Sequence, residues 1–97
     1  MIINKINMID LNPSNAPIKI LNEYINFYQG ISPEKYTIYI VWSCKTLRNR
    51  KWILYTSLPD NILYELTYDG YKDEYYLDEY QKLSNTTVKP VYPMTKE

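Results

Sequence analysis

The first regular pattern of apolar residues recurs every three to four positions and follows a cluster of turn-forming residues. Residues 12–15 (Asn-Pro-Ser-Asn) combine turn formers with helix-capping residues, and Pro17 suits a first helical turn. Gly30 suits the position just after a helix end. The pattern predicts an amphipathic helix over residues 16–29, whose apolar face contains Leu21, Tyr24, Ile25 and Tyr28.

A different periodicity, typical of β-strands, begins after residue 35. Residues 36–44 are rich in β-branched and aromatic side chains, which favour a strand. A polar connection over residues 46–50 leads to a second predicted strand over residues 51–58, which the Pro-Asp-Asn cluster at 59–61 ends. One predicted face of the first strand is wholly apolar and consists of Ile38, Ile40, Trp42 and Cys44.

The dipeptide Asp-Gly at positions 69–70 lies between two tyrosine-rich runs. In that setting it is a signal for a hairpin with a two-residue type I′ turn. The resulting register places Tyr64 opposite Tyr75 on a largely apolar face. It places Glu65 opposite Glu74 on the polar face, where like charges cost stability unless a cation lies between them. The predicted cation is either a basic residue of the neighbouring strand or a group of a binding partner.

The two ends of the chain carry less regular patterns. Residues 1–15 fit either an edge strand or an arm, residues 78–84 predict a short C-terminal helix, and residues 85–97 predict an extended tail. Residues 36–77 predict an antiparallel meander of about four strands. We therefore expect one α+β domain over residues 1–97, with the amphipathic N-terminal helix packed on the sheet.

Composition limits the chemistry that one chain can perform. The sequence has no histidine, one cysteine and two glycines, which removes the commonest general base, the usual zinc ligand sets and a glycine-rich phosphate loop. The carboxylates of residues 69–79 are candidates for Mg²⁺ or Ca²⁺, but their spacing shows no ligand pattern and indicates a solvated acidic face. We expect a protein that is not an enzyme and has no cofactor and no metal.

Cysteine usage and hydropathy indicate the compartment. A single cysteine, Cys44, cannot form a disulfide within one chain. The sequence shows neither a signal-peptide pattern nor an apolar run of about 18 residues, the length that spans a bilayer. We expect a cytosolic protein that does not bind membranes.

Charge is balanced over the chain but not along it, with eleven basic and eleven acidic residues in total. Residues 35–51 contain five basic residues and no acid, whereas residues 60–79 contain seven acids and one lysine. One interpretation is that adjacent strands neutralise each other across the sheet. The other is an acidic, tyrosine-rich surface that binds a basic groove of a partner protein and competes there with nucleic acid. The residues predicted to form that surface are Glu65, Tyr68, Asp69, Tyr71, Asp73, Glu74, Tyr75, Asp78, Glu79 and Tyr80.

Two further functions compete with this one. The basic connection, with Trp52 and Tyr55 nearby, is typical of surfaces that hold a nucleic-acid backbone and stack on bases. The residues that would do so are Lys45, Arg48, Arg50 and Lys51. The third alternative is a structural or oligomeric interaction module, which would form a stable dimer.

Four strings of residues are specific enough to resemble a known group of proteins. They read VWxCKTLxNxK from residue 41, TSLPD from residue 56, YExTYDG from residue 64 and YLDxYxK from residue 76. Over residues 39–83 the chain resembles a family of short uncharacterised proteins encoded by phages and prophages of Gram-positive bacteria. It departs from the family pattern at Asn61, where we expect glycine.

The resemblance implies a biological context rather than a mechanism. Small phage proteins without catalytic residues often bind and inhibit a host protein, and anti-CRISPR proteins are an example. The resemblance thus favours an inhibitor of a host defence or nucleic-acid-handling protein in the host cytosol, such as a CRISPR effector. In that hypothesis the acidic hairpin makes the contact.

Overall fold

The amphipathic helix is present with the predicted bounds. The computed structural model describes residues 16–91, so the prediction for residues 1–15 and the end of the predicted tail lie outside the described residues. Helix α1 spans Ala16–Gln29, and a single 3₁₀ turn follows at Pro33–Lys35. Gly30 ends α1 with a φ of 67°, and its N–H donates to Asn26 O at 3.0 Å. Glycine accepts this left-handed conformation without a steric penalty.

The buried stripe of α1 follows the predicted apolar face until the last turn of the helix. Three successive pairs are buried, one turn apart, and they comprise Ala16 with Pro17, Ile20 with Leu21, and Tyr24 with Ile25. Tyr28, predicted on the same face, is 57% exposed. Its ring packs on that of Tyr24, with a centroid distance of 4.7 Å, at the end of the helix. The predicted face is therefore correct except in its last turn.

Four antiparallel strands form a meander, which confirms the predicted α+β architecture. They are β1 (Ile38–Thr46), β2 (Asn49–Thr56), β3 (Ile62–Asp69) and β4 (Glu74–Gln81), in the spatial order β1-β2-β3-β4. Helix α1 and one face of the sheet enclose the core. On β2 and β3 the core alternates with less buried residues, as expected for a sheet covered on one side. The buried sheet residues are Trp52, Leu54, Tyr64, Leu66 and Leu77.

A β-bulge in β1 overturns the prediction of one wholly apolar face. Pairing with β2 shifts between Ile40 and Trp42, so that one extra residue lies in β1. Before the shift Ile40 pairs with Leu54 on the helix side, whereas after it Trp42 pairs with Ile53 on the opposite side. A one-residue shift moves all subsequent side chains to the other face, so Trp42 and Cys44 do not share a face with Ile38 and Ile40.

The predicted type I′ turn at positions 69–70 is wrong. Four residues, 70–73, connect β3 to β4, and the only left-handed φ among them is 55° at Asp73. The register differs from the predicted one by four residues, which keeps every side chain on its predicted face. It pairs Leu66 with Leu77, whereas the predicted register set Leu66 opposite Asp73. Burying two leucines together favours the observed pairing.

Residues 78–81 continue strand β4, so the predicted short helix at 78–84 is wrong. They pair with residues 62–65 of β3. Tyr76, Asp78 and Tyr80 also fit the two-residue period of a strand. Pairing with β3 therefore favours a strand over the predicted helix. From Lys82 to Val91 the chain is exposed and forms neither helix nor strand. Within the described residues no helix is both long and apolar enough to cross a membrane.

Candidate functional site

The sheet has one face covered by α1 and one that no described element covers. Residues paired across antiparallel strands point to the same side, so the registers assign each side chain to a face. We call the uncovered side the open face. It consists of Tyr39, Trp42, Cys44 and Thr46 on β1, Asn49, Lys51, Ile53 and Tyr55 on β2, Leu63, Glu65, Thr67 and Asp69 on β3, and Glu74, Tyr76, Asp78 and Tyr80 on β4.

Large aromatic side chains on the open face remain accessible to solvent. Tyr39 is 51% exposed, Trp42 48% and Tyr80 50%. Tyr55 is also exposed, and Ile53 and Leu63 between them are half-buried. Tyrosine and tryptophan combine apolar area with a polar group and are enriched at protein interfaces. This part of the open face has the composition of a binding surface.

One ion pair crosses the middle of the open face. Lys51 Nζ lies 3.0 Å from a Glu65 carboxylate oxygen, and the Tyr80 hydroxyl donates to the other oxygen at 3.1 Å. The hydrogen bond from Lys51 lowers the pKa of Glu65, and the same bond raises the pKa of Lys51. Glu65 pairs across the strands with Asp78, not with Glu74 as predicted. Lys51 from the neighbouring strand thus supplies the predicted cation, so cross-strand neutralisation accounts for Glu65.

The remaining carboxylates give the open face a negative balance. It carries Glu65, Asp69, Glu74 and Asp78 but only one basic residue, Lys51. The Tyr76 hydroxyl donates to Glu74, which raises the pKa of Tyr76 to about 12. Asp78 is exposed, and no described basic group lies within ion-pair distance of it. The acidic residues lie on β3 and β4, and the exposed aromatic residues of β1 lie at the other side of the same face.

The ten residues predicted for the acidic surface do not form one surface. Five of them, Glu65, Asp69, Glu74, Asp78 and Tyr80, lie on the open face. Two lie in the 70–73 loop: Tyr71, and Asp73, which accepts a hydrogen bond from the Tyr68 hydroxyl at 2.8 Å. The other three, Tyr68, Tyr75 and Glu79, lie on the helix side.

The helix-side members take part in the packing of the fold. The Tyr24 hydroxyl of α1 donates to Glu79 at 2.8 Å. Burial, followed by this hydrogen bond, raises the pKa of Tyr24 well above its usual range. Tyr75 packs against Trp52 and Tyr68, with centroid distances of 6.5 Å and 4.6 Å, and burial raises its pKa. These contacts give Tyr75 and Glu79 structural roles.

The predicted basic loop is a tight turn, and its cations are divided between surfaces. Only Leu47 and Arg48 connect β1 to β2. Lys45 and Arg50 form a cross-strand pair on the helix side, whereas Lys51 lies on the open face. The Arg48 guanidinium lies over the Tyr71 ring, 5.4 Å from its centroid, in cation–π geometry.

The two turns at this end of the sheet contact each other closely. The Gly70 N–H donates to the Asn49 side-chain oxygen at 3.1 Å. A Cβ atom on residue 70 would lie 2.0 Å from the Arg48 carbonyl oxygen. This close approach, and not the type of turn, requires glycine at position 70.

A cleft of about 400 Å³ opens at the opposite end of the sheet. Its walls include Tyr55, Leu63 and Tyr80 of the open face, together with Asp60 and Lys82. The cleft extends the aromatic part of the open face. The structure describes no group of three or more Asp, Glu or Cys side chains arranged to hold a metal ion.

Apart from Lys51, the sequence predictions did not include the β1 and β2 residues of the open face among the site residues. Trp42 was assigned to one apolar face with Ile38 and Ile40, because no glycine or proline in β1 marks the bulge. Alternation along β2 carries a usable signal: with Trp52 and Leu54 in the core, Ile53 and Tyr55 must point to the other side.

Comparison with known proteins identifies a family without a known activity. Residues 14–90 match the model of a family of unknown function, DUF6275, and the chain belongs to this family. No curated protein and no solved structure gives a significant match.

Proposed function

We propose that this DUF6275 protein is a non-enzymatic binding module whose open face docks on a basic, partly apolar surface of another protein. We further propose that the partner is a host protein that handles nucleic acid, such as a CRISPR effector, and that docking inhibits it. The phage origin implied by the sequence resemblance is part of this proposal. The observation that carries it is the excess of carboxylates on an uncovered sheet face that also exposes aromatic side chains.

The Lys51–Glu65 ion pair leaves most of the negative charge of the open face unbalanced. Lys51 satisfies Glu65, so three carboxylates of the open face, those of Asp69, Glu74 and Asp78, have no ion-pair partner among the described residues. Asp69 accepts from the N–H groups of Tyr71 and Lys72 at 3.0 Å and 3.2 Å, and the Tyr76 hydroxyl donates to Glu74. These bonds hold the carboxylates in place without neutralising them. A fixed negative field favours encounter with a basic surface.

The exposed aromatic side chains of the open face are the expected source of affinity. Charges at an interface rim mainly affect the association rate, whereas buried aromatic side chains supply most binding energy. Tyr39, Trp42 and Tyr80 are each about half exposed, so a partner can bury further area of all three. A nucleic-acid-binding groove, with basic residues around apolar stacking surfaces, is complementary to both the carboxylates and the exposed aromatic side chains of the open face.

The test is affinity capture from host lysate with matched charge variants. Asp78→Lys changes the charge of the open face and should abolish capture of a basic nucleic-acid-handling protein. Glu34→Lys is the control, since Glu34 is an exposed residue of the 3₁₀ turn, outside the open face. Competition by DNA or RNA for the captured protein should release the wild-type chain.

Three results would contradict the proposal or remove its support. Equal capture by wild type and Asp78→Lys would place the contact elsewhere. A captured partner that binds no nucleic acid would remove the support for this partner class. Loss of capture only because circular dichroism shows the open-face variant to be unfolded would remove the support for this site.

A second candidate function rests on the Lys45–Arg50 pair. These cations lie side by side on the helix side, and the structure describes no carboxylate within ion-pair distance of either. Arg50 also pairs across the strands with Tyr68, whose ring packs on Tyr75. Basic side chains beside aromatic rings are found where proteins hold single-stranded nucleic acid. Titration of labelled single-stranded DNA at low salt tests it, and binding should weaken in Lys45→Ala and Arg50→Ala and with added salt.

A further inference from the structure

The outer edge of β1 is an exposed sheet edge rich in apolar side chains. Strand β1 lies at one end of the strand order, so one row of its backbone N–H and C=O groups has no partner strand among residues 16–91. Four consecutive large side chains there are accessible: Tyr39 is 51% exposed, Ile40 41%, Val41 53% and Trp42 48%. Such an edge is a template for pairing with another strand.

The charge content of β1 favours pairing with a neutral strand. Its nine residues include one charged side chain, Lys45, and no proline. Proteins that keep an edge free commonly place several charges, a proline or a β-bulge on it, and of these β1 has only the bulge. The opposite edge, β4, follows this rule, since it carries Glu74, Asp78 and Glu79.

We propose that β1 pairs antiparallel with β1 of a second copy of the chain, forming a two-fold dimer with a continuous eight-stranded sheet. With the two-fold axis between Val41 and Trp42, Tyr39 faces Cys44 of the other copy and Lys45 faces Ile38. No like charges oppose each other, whereas self-pairing of β4 would bring six carboxylates onto one seam. The bulge lies at the axis, so the bends of both β1 strands coincide.

The chemistry of β1 distinguishes this partner from the one that binds the open face. A basic partner finds no carboxylate on β1, because the acidic residues lie on β3 and β4. A neutral, apolar strand that is complementary to itself fits a closed isologous contact. Dimerisation therefore stands independently of the proposed function, and either can fail alone.

The dimer would enlarge the binding surface. A two-fold axis that relates antiparallel strands of one sheet is perpendicular to that sheet, so both open faces lie on the same side. Tyr39 and Trp42 of the two copies then form the centre of a single face, with the carboxylates of β3 and β4 at both flanks. A partner with two basic sites would bind such a face by two contacts at once.

Sedimentation velocity over a range of concentrations is the first test. The wild-type chain should sediment with about twice its mass of 11.7 kDa. Val41→Lys places a charge at the seam and should give the monomer mass. The control is Phe27→Lys, because Phe27 is 78% exposed on α1 and its helix neighbours Tyr24 and Gln29 contact β4 and β3, not β1. This variant should remain a dimer.

Disulfide trapping locates the contact independently of folding stability. In a Cys44→Ser background, Val41→Cys should form an interchain disulfide under mild oxidation within minutes, since the two residues meet near the axis. Phe27→Cys in the same background should not. The proposal is overturned by a monomeric wild type, by a Val41→Lys variant that stays dimeric, or by equal cross-linking of both cysteine variants. A monomer whose β1 amides resist hydrogen exchange would also overturn it, because another segment of the same chain would then cover the edge.

Discussion

The covered face and the open face of the sheet arise from the same strands but have different roles. Leu54, Tyr64 and Leu66 point towards α1 and have no measurable exposure, whereas their neighbours Ile53 and Glu65 on the open face are only half-buried. An antiparallel sheet with one covered side usually carries polar residues on the other. Here the other side carries aromatic and aliphatic residues as well as carboxylates. These residues are not part of the core that α1 and the covered face enclose.

Truncation of adjacent residues on β2 should give the largest difference in the free energy of unfolding between the two faces. Leu54→Ala removes a fully buried side chain and should lower the free energy of unfolding by about 2–5 kcal/mol. Ile53→Ala removes a half-buried one from the open face and should cost about 1 kcal/mol or less. Urea unfolding measures both. Equal losses would mean that the open face belongs to the folding core and is not a surface held ready for a partner.

The contact between the two turns keeps both faces continuous across β2 and β3. Gly70→Ala would place a Cβ atom 2.0 Å from the Arg48 carbonyl oxygen, so the hairpins must separate, at a cost of about 1–3 kcal/mol. Gly30→Ala is the matched control. Its Cβ atom would meet nothing within 4 Å, and only its φ of 67° opposes alanine, at a cost of about 1 kcal/mol.

Thermal unfolding distinguishes these two glycines. For a domain of this size each kcal/mol corresponds to a shift in Tm of about 4–8 °C, so Gly70→Ala should melt well below Gly30→Ala. The same Tm for both variants would show that the approach of the turns does not constrain the sheet. A Gly70→Ala variant that also loses partner binding would show that the open face depends on this junction.

Local patterns predict the elements of this fold better than the pairing between them. The helix bounds follow from the spacing of apolar residues and from Gly30, both of which are properties of one segment. The bulge at Val41 and the pairing of Leu66 with Leu77 depend on the strand opposite, and no residue within the segment signals either. The helix predicted at 78–84 fails for the same reason, because Tyr76 and Tyr80 fit both periods until β3 is beside them.

The same limit applies to the candidate site, whose residues could be predicted only where their placement follows from the local pattern. Glu65 and Glu74 were correctly assigned to one face of the hairpin, since a register error of four residues preserves alternation. Asp78 was predicted in a helix, and Glu79 lies on the helix side and not on the predicted surface. Trp42 was not correctly assigned, since the bulge moves it from the face of Ile38 and Ile40, where it was predicted, to the open face. The aromatic part of the open face is therefore a product of tertiary pairing, and of its acidic residues only the shared face of Glu65 and Glu74 follows from sequence alone.

The Lys51–Glu65 ion pair offers a smaller test of the open face. Lys51→Gln should lower the free energy of unfolding by about 0.2–1 kcal/mol, since both groups are partly exposed. Glu65 then faces Asp78 without a cation, so adding Asp78→Asn should restore most of the loss. No recovery in the double variant would mean that the repulsion is already screened by solvent.

The pH dependence of this ion pair has a defined sign. Because the folded pKa of Glu65 is lowered, its contribution is present above the ordinary value of 4.5 and is lost as the pH falls through the folded pKa. The wild type and Lys51→Gln should therefore converge in stability under acid conditions, and also at high salt. Persistence of the difference in acid would indicate that Lys51 acts through packing of its methylene groups.

Tyrosine titration gives the finest distinction between the faces, since two residues share one pKa for different reasons. Burial against α1 raises the pKa of Tyr64 to about 12, whereas a hydrogen bond to Glu74 raises the pKa of Tyr76 to about 12. Glu74→Gln should return Tyr76 towards its ordinary value of 10.0 and leave Tyr64 unchanged. When the tyrosinate absorbance of the variant is compared with that of the wild type, the titration midpoint of one tyrosine should move to lower pH. The raised pKa of Tyr64 favours the fold below pH 10, and that contribution is lost as the pH rises towards 12. A variant in which no tyrosine moves would show that the carboxylate on the open face does not hold the Tyr76 proton.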